Sequence, residues 1–116
     1  MAGGARRTRA ELDLALEWFD RVWKVAPNAI EAEAGSTEDL ERVMSVHLDL
    51  FEGLLDRRDH LLGGLTALDF AAYPFLKYAA ERDPADDEEF HRILERHQSV
   101  AERPRLAAWI ERVASR

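Results

Sequence analysis

Along this chain, apolar residues recur at steps of three and four, and nowhere do they alternate with polar ones over the length of a strand. Steps of three and four line one face of a helix, whereas a half-buried strand needs a period of two, so the fold must be built from helices packed through apolar stripes. The first stripe is Leu12, Ala15, Leu16, Phe19, Val22, Trp23 and Ala26. It is expected to stop near Pro27 and Asn28, with a short extension over residues 30–34. The second opens at Ser36, whose side chain can cap a helix, and Glu38 and Asp39 suit the positive end of its dipole. Leu40, Val43, Met44, His47, Leu48, Phe51, Leu54 and Leu55 then run for about five turns to Arg57 and Arg58, which suit the negative end. Such a helix should be a central pillar.

Residues 59–64 form a turn with two glycines. Thr66 and Asp69 then supply a helix-capping box, a hydroxyl at the N-cap and a carboxylate three positions on, with Leu65 and Phe70 placed to close a hydrophobic staple over it. The third stripe is Leu68, Ala71, Ala72, Phe75, Leu76 and Ala79. Pro74 lies within it, and a proline inside a helix costs about 3 kcal/mol, so a kink or early break is expected. Asp83-Pro84 reads as a cap followed by a first-turn proline, opening a helix through Phe90, Ile93, Leu94 and His97. Arg103-Pro104 repeats the device for Leu106, Trp109, Ile110 and Val113. The reading is all-α, a bundle of five helices or more over residues 9–116, behind a loose tail at residues 1–8.

Composition narrows what this bundle can meet. With no cysteine, the 116 residues exclude disulfide frameworks, thiolate zinc sites and thiol nucleophiles. A formal net charge of -7 disfavours nucleic acid and anionic membranes as partners. No apolar run approaches a membrane span, and Arg6, Arg7 and Arg9 have no apolar stretch behind them as a signal peptide would, so a cytoplasmic domain is expected.

Two motifs point to a family. Residues 64–76, Gly64-Leu65-Thr66-Ala67-Leu68-Asp69 and on through Pro74 to Leu76, resemble the capped core helix in the C-terminal domain of glutathione S-transferases. Residues 104–113, a proline start followed by an amphipathic helix carrying Trp109, resemble the same domain's closing helix, and Phe90, His91, Ile93 and Leu94 fit the helix between. The resemblance extends from about residue 9 to the end, in order and spacing.

A complete subunit of that family also carries a thioredoxin-like domain, which binds glutathione against a cis-proline and activates its thiol. These residues have no strand pattern to match it, and Ala26-Pro27 sits at an expected helix exit. The resemblance therefore implies the helical half of a transferase, supplying a wall of the hydrophobic electrophile pocket and a dimer face, and not expected to conjugate glutathione alone. Glutathione enters as co-substrate only if a thioredoxin-like domain is supplied, and no cofactor is expected in this chain. The expected partners are a second copy or a thioredoxin-like domain, with a hydrophobic small molecule in the pocket. The alternative is a stand-alone protein–protein interaction module, as similar domains are in translation factors and aminoacyl-tRNA synthetases. Whether the chain counts as an enzyme stays open.

No reactive group stands out from the residues themselves. Tyr73, Tyr78, Ser36, Ser45, Ser99 and Ser115 are the hydroxyl candidates besides the threonines, and each reads as structural. His47, His60, His91 and His97 lack metal-ligand spacing, so no metal site is expected, and His47 reads as a core residue with a backbone or carboxylate partner. Asp86-Asp87-Glu88-Glu89 lacks the spacing of a calcium loop and reads as a solvated helix start. The first helix is more telling. Besides its core stripe, Leu14, Trp18 and Val25 occupy a neighbouring face with Arg21, and a second apolar face on one helix implies a second surface to cover it. Carried over from the family, Trp18, Val22 and Trp23 fall near the pocket wall; the plainer reading of Trp18 and Trp23, as core or dimer contacts, is the one the residues themselves favour. Thr66 and Asp69 are assigned a structural role as the helix cap.

Overall fold

The computed structural model describes the backbone from Ala2 to Arg116 and the side chains from Arg9 onward. Among the described residues six α-helices carry the fold: α1 (Ala2–Trp18), α2 (Val25–Glu31), α3 (Thr37–Leu54), α4 (Ala67–Leu76), α5 (Glu89–Arg96) and α6 (Pro104–Ala114). Among the described residues there is no strand, only two isolated bridges within the 60–64 turn. Among the described residues no helix is long and apolar enough to cross a membrane. The backbone of residues 2–8, read from sequence as a loose tail, is helical as the start of α1; their side chains lie outside the described residues.

The first expected helix is in fact two, and the break is not at proline. A π turn, Phe19–Trp23, follows α1, with the Lys24 N–H reaching back five residues to the Phe19 carbonyl. Phe19 and Trp23 are both buried there and stack at 4.7 Å with 9° between ring planes. Pro27 lies in the first turn of α2, where an N–H has no helical partner to lose, so it is accommodated rather than terminating.

At 18 residues α3 spans about 27 Å and places Met44, Leu48 and Phe51 in the core beside Leu55. Ser36 caps it as expected, its Oγ accepting from the Asp39 N–H at 3.3 Å. A second carboxylate caps across helices: Glu52 of α3 accepts the Leu106 and Arg105 N–H groups at 2.8 and 3.2 Å, satisfying the open first turn of α6. Arg103, just before Pro104, grips α3 through Asp49 at 2.8 Å and Ser45 Oγ at 2.8 Å.

The Thr66 and Asp69 box forms. Thr66 Oγ1 accepts from the Leu68 N–H at 3.2 Å, and the Thr66 N–H donates to Asp69 Oδ2 at 2.9 Å. Asp69 does more than cap. It is 0 % exposed, and its Oδ1 also accepts the Leu61 N–H at 3.1 Å and the Trp109 indole N–H at 2.8 Å. One carboxylate thus joins the 60–64 turn, α4 and α6. His60 is buried beside it, Nδ1 lying 3.5 Å from Asp69 Oδ1. The hydrophobic staple is not buried, since Leu65 and Phe70 are both exposed.

Pro74 produces the early break. It has no N–H for the Phe70 carbonyl, and two residues later α4 gives way to a 3₁₀ turn, Lys77–Ala79. Asp83-Pro84 does not open a helix. Asp83 and Asp86 each accept the N–H two residues ahead, Ala85 at 2.9 Å and Glu88 at 3.1 Å. These side-chain turns compete with helical hydrogen bonding and delay α5 to Glu89.

Candidate functional site

Helix α1 packs on α4, while α2 packs on α3 and α5. Between α1 and α3 lies a cavity of about 350 Å³ with walls that are almost wholly apolar. Leu14 and Trp18 come from α1, Leu50 and Leu54 from α3, and Leu62 and Leu68 close one end, with Ala15 and Phe51 completing the lining. Trp18 bridges the two helices, its ring meeting Phe51 edge-on at 6.0 Å and His47 edge-on at 5.1 Å. The cavity mouth stays apolar because Leu14 is 68 % exposed and Leu50 is exposed across from it. Among the described residues no acid, base or nucleophile lines it, and apolar walls of this kind sort ligands by shape and hydrophobicity.

Of the three residues expected near a pocket wall, Trp18 lines this cavity. Trp23 is 0 % exposed and packed in the core between Phe19 and Phe75, and exposed Val22 is not among the lining residues. Of the second apolar face read on the first helix, Leu14 and Val25 are exposed and Trp18 is half-buried, while Val22, read as part of the core stripe, is exposed instead. An apolar surface on α3 was missing from the sequence reading: Val43, Val46 and Leu50 are exposed, although Val43 fits the core stripe by spacing. The available signal is a 3.5-residue spacing through Val43, Val46 and Leu50, offset from the buried Met44, Leu48, Phe51 and Leu55.

His47 departs from its expected role. It is half-buried, its Nδ1 has no hydrogen-bond partner, and it meets Trp18 instead of a carbonyl or carboxylate. Burial holds its pKa below 6.5, favouring the neutral ring. The hydroxyl candidates are all engaged. Tyr73 donates to Glu81 and Tyr78 to Asp86; Ser36 caps α3, Ser45 receives Arg103, Ser99 accepts from the Ala101 N–H and Ser115 donates to the Glu111 carbonyl.

The acidic run is not a simple solvated helix start, because only Glu89 belongs to α5. Asp86 Oδ2 meets the Tyr78 hydroxyl at 3.2 Å and His91 Nδ1 at 2.8 Å, and the rings of Tyr78 and His91 stack at 4.9 Å. Burial, followed by the bond to Asp86 and the surrounding negative charge, pushes Tyr78 up to about 12. Desolvation pulls Asp86 upward, but bonds from the Glu88 N–H, His91 and Tyr78 outweigh it and hold its carboxyl below the ordinary value. Among the described residues, Asp86, Glu88 and His91 offer ligand atoms within 4.8 Å of one another. Asp86 and His91 already bond each other, so the trio serves to fasten α5 to the 3₁₀ turn.

The helix order, the capped α4 with its internal proline, and the proline-started α6 anchored by Trp109 agree with the comparison of this chain against family models. The model described as glutathione S-transferase, C-terminal domain, matches residues 16–112. No curated protein and no solved structure matches the chain. The matched segment takes in the π turn, α2 to α5 and nearly all of α6, and the chain belongs to the glutathione S-transferase C-terminal domain family.

Proposed function

We propose that this domain acts as the non-catalytic helical half of a glutathione transferase, its α1–α3 side furnishing an apolar wall for the electrophile and a face for subunit contact. The observation that carries this reading is the cavity lined by Leu14, Trp18, Leu50 and Leu54. Its size and lining suit a small aromatic electrophile, which hydrophobic burial against Trp18 and the leucines would retain. Thiol activation belongs to a thioredoxin-like domain, for two reasons. The hydroxyls of Tyr73 and Tyr78 are bonded to carboxylates, and among the described residues no hydroxyl lines the cavity to stabilise a thiolate.

Mixing the chain with glutathione and a chloro-dinitrobenzene should give no conjugation above the uncatalysed rate. The chloro-dinitrobenzene alone should quench tryptophan fluorescence, and Trp18→Ala should remove most of the quenching. Conjugation by this chain would overturn the assignment of catalysis elsewhere; quenching unchanged in Trp18→Ala would overturn the pocket. The exposed Val43, Val46 and Leu50, of which only Leu50 lines the cavity, favour a role in protein contact as well.

A further inference from the structure

We propose that the groove between the loop at residues 82–86 and α5 binds a small ligand carrying two oxyanion groups, carboxylate or phosphate, held by Arg82, Arg92 and Arg96. The groove shares no lining residue with the apolar cavity of α1 and α3, so it stands or falls apart from the electrophile wall.

Helix α5 turns two arginines of the sequence into a pair. Arg92 and Arg96 are four positions apart, so they stand one turn above each other on one face, while Ile93 and Leu94 are buried on the other. Both arginines are exposed. The loop brings Arg82 to the same cavity, of about 350 Å³, which Asp83, Asp86 and Glu95 also line.

How these charges are engaged selects the ligand. With 23 acidic residues to 16 lysines and arginines, a cation in this chain readily meets a carboxylate, as Arg42, Arg103 and Arg105 do. Among the described residues, none of the three groove arginines has a carboxylate within 4.0 Å, although three carboxylates line the same cavity. Those carboxylates are taken by other donors. Asp83 accepts the Ala85 N–H at 2.9 Å, Glu95 accepts the Asp83 N–H at 3.2 Å, and Asp86 accepts the Glu88 N–H, the Tyr78 hydroxyl and His91. Arg82 is pinned to backbone carbonyls, of Tyr78 and Glu81 through Nη1 and of Gln98 through Nη2. Arg92 gives only Nε, to the Asp86 carbonyl at 3.5 Å, and among the described residues Arg96 bonds nothing. The groove thus fills its acceptors and leaves guanidinium donors open. An oxyanion suits them best, because a guanidinium offers its oxygens two parallel N–H bonds. Arginines on both the loop and α5, around a space larger than one such group, call for two oxyanions on one body. The neighbouring negative charges weaken attraction at a distance, so binding depends on direct contact, which favours a small ligand over a long polyanion.

The test is titration of the chain with pyrophosphate and, separately, with succinate at fixed ionic strength, followed by backbone amide NMR. At least one probe should bind saturably, with shifts concentrated at residues 82–86 and 92–96. Binding of pyrophosphate alone assigns a phosphate ligand, and binding of succinate alone a dicarboxylate. Arg92→Gln and Arg96→Gln, both at exposed positions, should keep the fold by circular dichroism and each weaken binding about tenfold. Arg58→Gln, an exposed arginine outside the groove, should leave binding unchanged. Saturation by neither probe below about 10 mM, or equal weakening by Arg58→Gln and Arg96→Gln, would overturn the proposal. The Trp18 indole resonance should stay in place during either titration, since the apolar cavity offers these anions nothing.

Discussion

The corner around Asp69 and the side formed by α1 and α3 handle their surfaces in opposite ways. At the corner, a fully buried carboxylate takes bonds from the Leu61 and Thr66 N–H groups and the Trp109 indole, so three chain segments depend on one side chain. Next to it, Leu14 and Leu50 stand in solvent around an apolar cavity that Leu62 of that turn and Leu68 of α4 also line, Val46 is exposed on α3, and the polar His47 against Trp18 has an unpartnered Nδ1. The first arrangement makes any single change expensive, because buried donors lose their acceptor. The second makes changes cheap for the fold and costly only for contact. The fold therefore leans on buried polar bonds in one place and leaves apolar side chains open in another.

The sharpest way to break this contrast is Asp69→Ala. It strands two backbone N–H groups and an indole N–H, and chemical denaturation should register a loss of about 3–5 kcal/mol. Glu31→Ala, an exposed carboxylate on α2, should change stability by less than about 0.5 kcal/mol. Equal effects would dissolve the corner's special status.

Next comes Glu52→Ala. It uncaps the first turn of α6 and should cost about 1–2 kcal/mol by the same measurement, with no effect on binding to the cavity.

On the other face, Leu50→Ser should stay within about 0.5 kcal/mol of wild type while weakening apolar ligand binding. A large loss of stability would show that Leu50 belongs to the core after all.

The smallest effect is one of pH. His47 has a folded pKa below its unfolded 6.5, so as pH falls through 6.5 the unfolded chain takes up the proton more readily and stability declines. The decline ends once the folded pKa is passed. His47→Gln should flatten that part of the stability profile, and a slope that persists in the variant would assign it to another group.

What could be read from sequence followed how local the physics is. Ser36 and the Thr66 and Asp69 box start helices as read, because a cap acts on N–H groups within one turn; Arg103-Pro104 also starts one, but its first-turn N–H groups are taken by the distant Glu52. The start of α5 was misplaced by five residues because Asp83 and Asp86 satisfy backbone donors in a competing turn geometry. Pro27 was misread because the same residue can end a helix or begin one. The bond from Trp109 to Asp69 spans forty positions and has no local signature. The candidate site was legible only through Trp18 and Leu14. The α3 surface escaped because periodicity marks apolar positions without saying which of them another helix covers, and Val43 scores equally as core or as surface.

The three tryptophans make one direct test available, since they occupy three environments. Trp18 lines the cavity, Trp23 lies in the aromatic core, and Trp109 is bonded to Asp69. Following their indole N–H resonances by NMR while a chloro-dinitrobenzene is added should move the Trp18 signal progressively and leave those of Trp23 and Trp109 in place. A titration that moves Trp109 or Trp23 and spares Trp18, or that moves none of the three, would contradict the proposal that the cavity lined by Trp18 is where this domain binds.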